Sequence, residues 1–436
     1  MKSFSGQTLY KKAKKMIPGG TQLLSKRPEM FAPDIWPAYY SSSKGCRVWD
    51  LDNNEYIDMS IMAVGACILG YADEDVDKKV IEAIHKGVNN TLNSPAEVAL
   101  AEKMLELHPW FDMVRYARSG GEAMSIAVRI ARAKTRKEKV LFSGYHGWTD
   151  WYLSANLANE SELDSQLMPG LDPAGVPQGL KGTAESFEFD NINDLKKVIA
   201  KESANIAAIV IEPARGYEPS KEYLQELKSI SKEIGAILIF DEITSGFRMC
   251  PGGIHRRLGV NPDIAVFAKS LANGYPMSVI IGTEEVMQAA QNTFISSTNW
   301  TDAIGPSAAL ATMEKYINSK VDKHIIEIGD TVKLVWKKNA EKFNIDISIS
   351  GLPSLASFSF NGPFVNELNS KFVIEMLNLG FLGFRQFKPS LAHTHDEIIK
   401  YDNAISYVFE KISNLNESEI KKIKAAHNGF HRLTKE

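Results

Sequence analysis

Residues 236–276 read AILIFDEITSGFRMCPGGIHRRLGVNPDIAVFAKSLANGYP, and the order of apolar and polar residues in this stretch predicts the fold class. A short apolar run from Ala236 to Phe240 is followed by Asp241, and a second run from Ile264 to Ala268 is followed by Lys269. Short apolar runs bounded by turn residues are typical of buried strands in a parallel sheet. Ligands of open α/β sheets bind beyond the carboxyl ends of the strands, so the pattern predicts that Asp241 and Lys269 face a ligand.

A third apolar run strengthens this prediction. Residues Ala207 to Ile211 end at Glu212, and the helical pattern that follows leads back to the strand before Asp241, as in a βαβ unit. Glu212, Asp241 and Lys269 are therefore expected at the same edge of one sheet. A lysine that is shielded from water and set among other charges can lose its proton and attack a carbonyl carbon.

The residues around these positions carry a family resemblance. DEITSGFR (241–248) followed by FAKSLANGYP (267–276) resembles the signature of the class III, fold-type I aminotransferases, and among them the glutamate-1-semialdehyde aminomutases. The likeness extends from IPGG (17–20) to AHT (392–394). It implies that the enzyme uses pyridoxal 5'-phosphate, that Lys269 forms a Schiff base with this cofactor and that Asp241 pairs with the pyridine nitrogen.

The resemblance also implies the architecture. We expect an α/β fold in which a large domain has a mostly parallel central sheet and a smaller α+β domain comes from both chain ends. The corresponding division places residues 1–65 and 323–436 in the small domain and residues 66–322 in the large one. A length of 436 residues agrees with more than one domain.

Composition excludes several other classes of protein. The net charge of −3 gives no electrostatic footprint for nucleic acid or for an anionic membrane. No stretch approaches the length of a membrane-spanning helix, and the lysine-containing N-terminus has no apolar run behind it. The three cysteines show no CxxC spacing and are consistent with a reducing compartment. We therefore expect a soluble, cytoplasmic protein.

A glycine turn before a helix predicts the phosphate site. Val114 to Ala117 has the pattern of a strand, Ser119, Gly120 and Gly121 form a tight turn, and a helix follows from Glu122 to Ala133. Unpaired amides at the start of a helix bind anions. In the resembling family this turn holds the cofactor phosphate and carries a threonine where this chain has Gly121.

Further cofactor contacts follow from the resemblance alone. It implies that Tyr145 stacks on the pyridine ring beside His146, and that Ile243, two residues beyond Asp241 along an extended chain, packs on the opposite ring face. Glu212 would lie near the hydroxyl side of the cofactor. Thr298 matches the threonine that family members lend to the phosphate of the partner subunit, which implies a homodimer with shared sites.

The substrates are less well specified. The positions where the aminomutases bind the substrate carboxylate hold Leu23 and Lys26 here, which favours transfer between an amino donor and an aldehyde or ketone acceptor over intramolecular aminomutation. The aminomutase reaction remains the alternative. Candidate substrate residues are Arg215, Arg385 and Lys388, for each of which a solvated surface charge is an equal alternative. Trp148, together with Trp300, would suit a bulkier acceptor.

A metal site is not expected. His393 has His395 and Asp396 close by, but this spacing fits neither a helical histidine pair nor a structural zinc site. We interpret AHT (392–394) as a helix cap.

Overall fold

A computed structural model describes residues 5–214 and 216–429. The chain forms two compact units, one made of residues 1–73 and 323–436 and the other of residues 74–322. The domain boundaries predicted from the sequence, after residues 65 and 322, stay a prediction. Arg215, one of the candidate substrate residues, lies outside the described residues.

The strands are numbered in chain order. They are β1 (Tyr40–Lys44), β2 (Arg47–Asp50), β3 (Glu55–Met59), β4 (Met113–Ala117), β5 (Lys139–Ser143), β6 (Ala184–Ser186), β7 (Ile206–Ile211), β8 (Ile237–Asp241), β9 (Ile264–Phe267), β10 (Ser278–Gly282), β11 (Ile347–Ser350), β12 (Ala356–Phe360), β13 (Phe381–Gly383) and β14 (Gln386–Phe387).

The α-helices are numbered in the same way. They are α1 (Ser5–Ala13), α2 (Met62–Gly65), α3 (Glu74–Lys86), α4 (Pro95–Leu107), α5 (Gly120–Thr135), α6 (Asp150–Leu153), α7 (Ala155–Ala158), α8 (Ile192–Lys201), α9 (Lys221–Glu233), α10 (Ile254–Leu258), α11 (Glu284–Met287), α12 (Ile304–Asn318), α13 (Val321–Phe343), α14 (Val365–Asn378), α15 (His395–Ser413) and α16 (Glu417–Ile420).

The unit of residues 74–322 is built on a seven-stranded sheet of order β4-β10-β9-β8-β7-β5-β6. Strands β6, β5, β7, β8 and β9 run parallel to one another, and β10 runs antiparallel to both of its neighbours. This mostly parallel sheet confirms the predicted α/β fold class.

Apolar layers cover both faces of this sheet, which explains the nearly continuous apolar runs in its strands. Ile239 of β8 packs in a cluster that contains the buried face of α5, and Phe240 packs in a separate cluster that contains α9. Successive side chains of a strand point to opposite faces. Asp241 therefore continues the face of Ile239, and Glu242 continues the face of Phe240.

The other unit contains the sheets β1-β2-β3-β13 and β11-β12-β14. His393 is fully buried in this unit, where its Nε2 donates to the carbonyl of Asp58 at 2.8 Å and its Nδ1 accepts from the Ser390 amide at 3.0 Å. The next residue, Thr394, is the N-cap of α15, as the interpretation of AHT required. Both ring nitrogens of His393 therefore serve the packing of this unit.

Two kinds of feature are absent from the described residues. None of the helices there has both the length and the apolar character that crossing a bilayer requires. In the same residues, no group of three or more His, Cys, Asp and Glu side chains is arranged to hold a metal ion.

Candidate active site

Three polar side chains lie at the carboxyl edge of adjacent parallel strands. Glu212 directly follows β7, Asp241 is the last residue of β8, and Lys269 follows β9 after one intervening residue. Strand β8 lies between β7 and β9 in the sheet. The structure thus brings a nucleophilic amine and two carboxylates to one edge, where ligands of such sheets bind.

Asp241 is held in place by a buried histidine. Its Oδ2 lies 2.8 Å from His146 Nδ1, and its Oδ1 accepts from the Ile243 amide at 3.0 Å. The second ring nitrogen of His146 lies 3.2 Å from the carbonyl of Ser143, so the ring has a polar partner at both nitrogens. His146, expected beside the cofactor ring, is buried against Asp241 and acts on the site by orienting this carboxylate.

The carboxylate of Asp241 is only partly stabilised by its protein neighbours, so a further cation beside it would favour its charged form. Burial raises the pKa of Asp241, and the hydrogen bond and charge of His146 offset only part of that rise. A positively charged N–H group beside the carboxylate would stabilise its ionised form. A protonated pyridine nitrogen is such a group.

The start of α5 supplies the amides expected of a phosphate site. The sequence predicted a turn through Gly121 and a helix from Glu122, but the helix begins at Gly120 and runs to Thr135. The reason is an N-cap: the Glu122 carboxylate accepts from the amide and hydroxyl of Ser119, and the first intrahelical bond joins the Ala123 amide to the Ser119 carbonyl. The amides of Gly120 and Gly121 precede that bond and point out of the helix.

The pattern Ser119-x-x-Glu122 is itself the sequence signature of a capping box, so this helix start could have been read from the sequence. The hydroxyl of Ser119 donates to Glu122 at 3.0 Å. Ser119 therefore contributes to the predicted phosphate site mainly by fixing the first turn of α5.

Two glycines allow this helix start to approach the strand ends. A Cβ atom on Gly120 would lie 2.9 Å from Ile243 Cδ1, and one on Gly121 would lie 3.1 Å from Trp148 Nε1. Ile243 does not continue an extended strand as expected: β8 ends at Asp241, whose carboxylate captures the Ile243 amide and starts a turn. A buried carboxylate and a glycine-lined helix start, joined through Ile243, fit a cofactor with a cationic ring and a phosphate.

Glu212 positions the loop that carries Tyr145. Its Oε2 accepts from the Tyr145 amide at 3.0 Å, and a Cβ atom on Gly144 would lie 2.7 Å from the same oxygen. Gly144 also has a φ of +113°, which disfavours other residues. The half-buried Tyr145 is thus carried by a backbone that a buried carboxylate fixes.

Thr244 is a site residue that the sequence reasoning missed. Lys269 Nζ donates to Thr244 Oγ1 at 2.8 Å. The backbone of Lys269 has a φ of 49°, in the left-handed region where a residue with a side chain is strained. The hydroxyl in DEITSG, three residues beyond Asp241, was the available signal for this contact.

The loop around Thr298 is anchored next to the helix start. Arg118 donates to the Trp300 carbonyl at 2.9 Å and to the Asp302 carboxylate at 2.5 Å. Thr298 begins a single turn of 3₁₀ helix, is exposed, and accepts from the Thr301 hydroxyl through its carbonyl at 2.9 Å. Arg118 was also missed, because its partners are far away in the sequence.

The remaining predicted substrate residues are dispersed. Arg385 and Lys388, together with Leu23 and Lys26, belong to the unit of residues 1–73 and 323–436. Trp148 lies over Gly121 and is 69% exposed. A cavity of about 610 Å³ adjoins the strand ends and is lined by Gly144 and Glu212 among others.

Comparisons with known proteins agree with this geometry. Residues 32–415 match the family model for aminotransferase class-III. The chain is 29% identical to 3-aminobutyryl-CoA aminotransferase of Cloacimonas acidaminovorans, over 91% of this chain and 96% of that protein. It is 30% identical to glutamate-1-semialdehyde 2,1-aminomutase of Ruminiclostridium cellulolyticum, over 90% of this chain and 94% of that protein.

A solved structure confirms the fold over nearly the whole chain. The FumI protein of Sphingopyxis sp. MTA144, solved in its PLP internal aldimine form, superposes with a TM-score of 0.86 at 22% sequence identity. The superposition covers 97% of this chain and 98% of that one. At this identity the likeness concerns the fold.

Proposed function

Because this chain belongs to the class-III aminotransferase family, we propose that it is a pyridoxal-phosphate-dependent enzyme that moves an amino group from an amino donor to an aldehyde or ketone. The observation that carries the proposal is the placement of Lys269 and Asp241 at one sheet edge, beside the start of α5. When bound, pyridoxal phosphate makes the hydrogen on the amine-bearing carbon of the substrate acidic by withdrawing electrons from that carbon.

Lys269 has two tasks in this proposal. Its Nζ would hold the cofactor covalently, and the same nitrogen, when free as an amine, would take and return the proton of the donor carbon. Thr244 Oγ1 gives that nitrogen a fixed hydrogen-bond partner at 2.8 Å. The strained backbone of Lys269 restricts the directions in which the side chain can leave the strand end.

Asp241 keeps the proton on the ring nitrogen of the cofactor. For this it must remain ionised, and the contact with His146 at 2.8 Å favours the charged carboxylate. Tyr145 and Ile243 would cover the two faces of the ring, and the Gly120 and Gly121 amides would bind the phosphate.

Attachment to Lys269 is tested by chemical trapping. Purified protein should be yellow, and borohydride should fix the cofactor to Lys269, where mass spectrometry of the digested protein detects it. An adduct on another lysine, with none on Lys269, would overturn the assignment. The variant Lys269→Arg, which keeps the positive charge, serves as the control and should not be labelled.

The aminomutase reaction is the second candidate, because curated aminomutases are about as similar to this chain as the aminotransferase described above. Leu23 and Lys26 stand where those enzymes are expected to bind a carboxylate, which favours transfer between two substrates. Candidate contacts for that transfer are Arg215 and Trp148.

A panel of amino donors distinguishes the aminotransferase from the aminomutase reaction when the loss of the cofactor absorbance is followed. An aminotransferase needs an acceptor to regenerate the starting form, whereas an aminomutase yields an isomer alone.

We also propose that the enzyme is a cytoplasmic homodimer in which Thr298 of the partner subunit contributes to the phosphate site. Two large apolar side chains of residues 74–322 support a subunit interface because they are exposed to water, Leu92 by 78% and Phe294 by 83%. Thr298 is exposed in the same loop as Phe294, four residues away.

Subunit exchange tests the shared site. Mixing Lys269→Ala with Thr298→Ala protein produces mixed dimers in which one site carries both substitutions and the other has both residues intact. We expect cofactor affinity and activity to recover in that intact site. Demonstrated exchange without any recovery, or an active monomer in sedimentation, would contradict the shared site.

A further inference from the structure

Trp148 lies over the first turn of α5. A Cβ atom built on Gly121 would be 3.1 Å from Trp148 Nε1 and 3.2 Å from its Cδ1. These are tight contacts, so the indole edge fills the space that a side chain at position 121 would need. The indole therefore meets Gly121 with its N–H edge.

The backbone before Trp148 is shaped for this contact. Gly147 has a φ of +106°, and a Cβ atom on it would lie 3.0 Å from the Gly121 Cα. Both glycines are needed for the close approach, because a side chain on either would separate the loop from the helix. The backbone of Trp148 is also close to α5, because its nitrogen lies 4.0 Å from the Cβ position of Gly121.

The indole edge occupies the Cβ position of Gly121 in the first turn of α5. Side chains of an α-helix tilt toward its N-terminus, so the Cβ position of Gly121 lies on the side to which the first amides point. An indole N–H is a hydrogen-bond donor only. Trp148 thus adds a third donor beside the amides of Gly120 and Gly121, which precede the first intrahelical bond, whereas the Glu122 amide belongs to the capping box with Ser119.

We propose that the Trp148 indole N–H donates to the cofactor phosphate, in place of the side-chain hydroxyl that Gly121 lacks. This inference rests on the proposed pyridoxal-phosphate function. It makes Trp148 a determinant of cofactor retention, whereas the sequence suggested a substrate contact. A hydrogen bond to a charged acceptor is stronger than a neutral one, so this single donor should have a measurable effect on affinity.

The test measures binding of pyridoxamine 5'-phosphate and of pyridoxamine to full-length protein freed of cofactor, by isothermal titration calorimetry. Neither probe has a carbonyl, so attachment to Lys269 does not enter. Trp148→Phe keeps an aromatic ring and removes the N–H. We expect its dissociation constant for pyridoxamine 5'-phosphate to rise about tenfold or more, and that for pyridoxamine to change by less than about twofold.

A rescue experiment uses the contact itself. Trp148→Ala should weaken pyridoxamine 5'-phosphate binding at least as much as Trp148→Phe. Adding Gly121→Thr to Trp148→Ala places a hydroxyl in the vacated space and should recover most of the lost affinity. Trp151→Phe is the matched control, because Trp151 is a neighbouring tryptophan, 6% exposed, whose Nε1 has no acceptor among the described residues.

The outcomes separate this inference from the proposed function. If Trp148→Phe binds both probes as the unchanged protein does, or loses both equally, the indole does not donate to the phosphate. If the unchanged protein binds neither probe, the proposed function fails and this inference fails with it. Melting temperatures of all variants identify any that are misfolded. If a Trp148 variant is misfolded, the inference is tested by whether folded protein with Trp148→Ala and Gly121→Thr recovers affinity for pyridoxamine 5'-phosphate.

Discussion

Asp241 and Glu242 are consecutive, both are buried, and each contacts a histidine, yet their pKa values are shifted in opposite directions. Asp241 Oδ2 lies 2.8 Å from His146 and Glu242 Oε1 lies 2.7 Å from His255. The pKa of Asp241 is raised because burial dominates. Burial acts on Glu242 in the same direction, but its hydrogen bonds outweigh burial and lower its pKa.

The difference lies in the number of donors. Glu242 accepts from the ring and the amide of His255, at 2.7 and 3.1 Å, and from the Ser245 hydroxyl at 2.5 Å. Asp241 accepts from His146 and from one amide, that of Ile243. A buried carboxylate with a full set of donors is part of the structure, whereas one with fewer donors is prepared for a ligand that brings another.

The two hydroxyl residues that follow repeat this division. Thr244 accepts from Lys269, and Ser245 donates to Glu242. We call the residues Asp241, His146, Thr244 and Lys269 the Asp241 cluster, and the residues Glu242, Ser245, His255 and His108 the Glu242 cluster. Burial, followed by the neighbouring His255, lowers the pKa of His108 to about 3, so the Glu242 cluster holds this ring neutral.

The comparison predicts that changes in the Asp241 cluster affect catalysis and that changes in the Glu242 cluster affect stability. The largest effect is expected for Asp241→Asn. It keeps the shape of the side chain and removes the charge that holds the ring proton, so kcat/KM should fall by on the order of a hundredfold or more while the cofactor still binds. Steady-state kinetics with a donor identified by the panel measures this, and near-normal activity would refute the role of Asp241.

The second effect is a loss of stability in Glu242→Gln. The substitution replaces one acceptor oxygen by an amide donor and removes charge from a set of three hydrogen bonds, which should cost about 2 kcal/mol in the free energy of unfolding. Urea denaturation of Glu242→Gln and Asp241→Asn protein, both without cofactor, gives the comparison. The distinction between the clusters fails if Asp241→Asn is the less stable of the two, or if folded Glu242→Gln loses activity as severely.

A smaller effect is expected from the hydroxyl pair. Thr244→Val removes the hydrogen-bond partner of Lys269 Nζ at nearly constant volume and should lower kcat by about threefold to tenfold without destabilising the fold. Ser245→Ala should do the reverse, lowering the free energy of unfolding by about 1 kcal/mol with kcat nearly unchanged. Equal effects of the two substitutions on kcat would contradict the division.

The smallest effect concerns the pH dependence of stability. The folded pKa of Glu242 lies below its ordinary value of 4.5, so its stabilisation is present above pH 4.5 and is lost as the pH falls through the folded pKa. The folded pKa of Asp241 lies above its ordinary value of 3.8, so Asp241 destabilises the fold as the pH rises through the folded pKa.

Denaturation of cofactor-free variants between about pH 3 and 6 checks these signs. Glu242→Gln should lose less stability on acidification than the unchanged protein, because a group that favours the fold only when ionised is gone. Asp241→Asn should lose more, because the opposing contribution is gone. Identical slopes in the two variants would mean that the carboxylates are not electrostatically different.

Much of this fold could be predicted from local patterns. The strands β7, β8 and β9 begin and end within one residue of the predicted apolar runs. Continuous apolar runs identify buried strands because each residue of such a strand is surrounded by apolar layers. The start of α5 was misplaced by two residues because the cap formed by Ser119 and Glu122 was not recognised.

Local sequence patterns were enough to predict the α/β fold class and to place Asp241 and Lys269 at strand ends, because an apolar run and the residue at its end are local features. The roles of these two residues toward a cofactor followed from the family resemblance. Tertiary structure decided which side chains meet. His146 lies 95 positions from Asp241, and Thr244 lies 25 positions from Lys269. No sequence pattern indicates that the members of either pair are in contact. Such contacts depend on the order of strands in the sheet and on the paths of loops, which follow from the packing of the whole unit and not from periodicity.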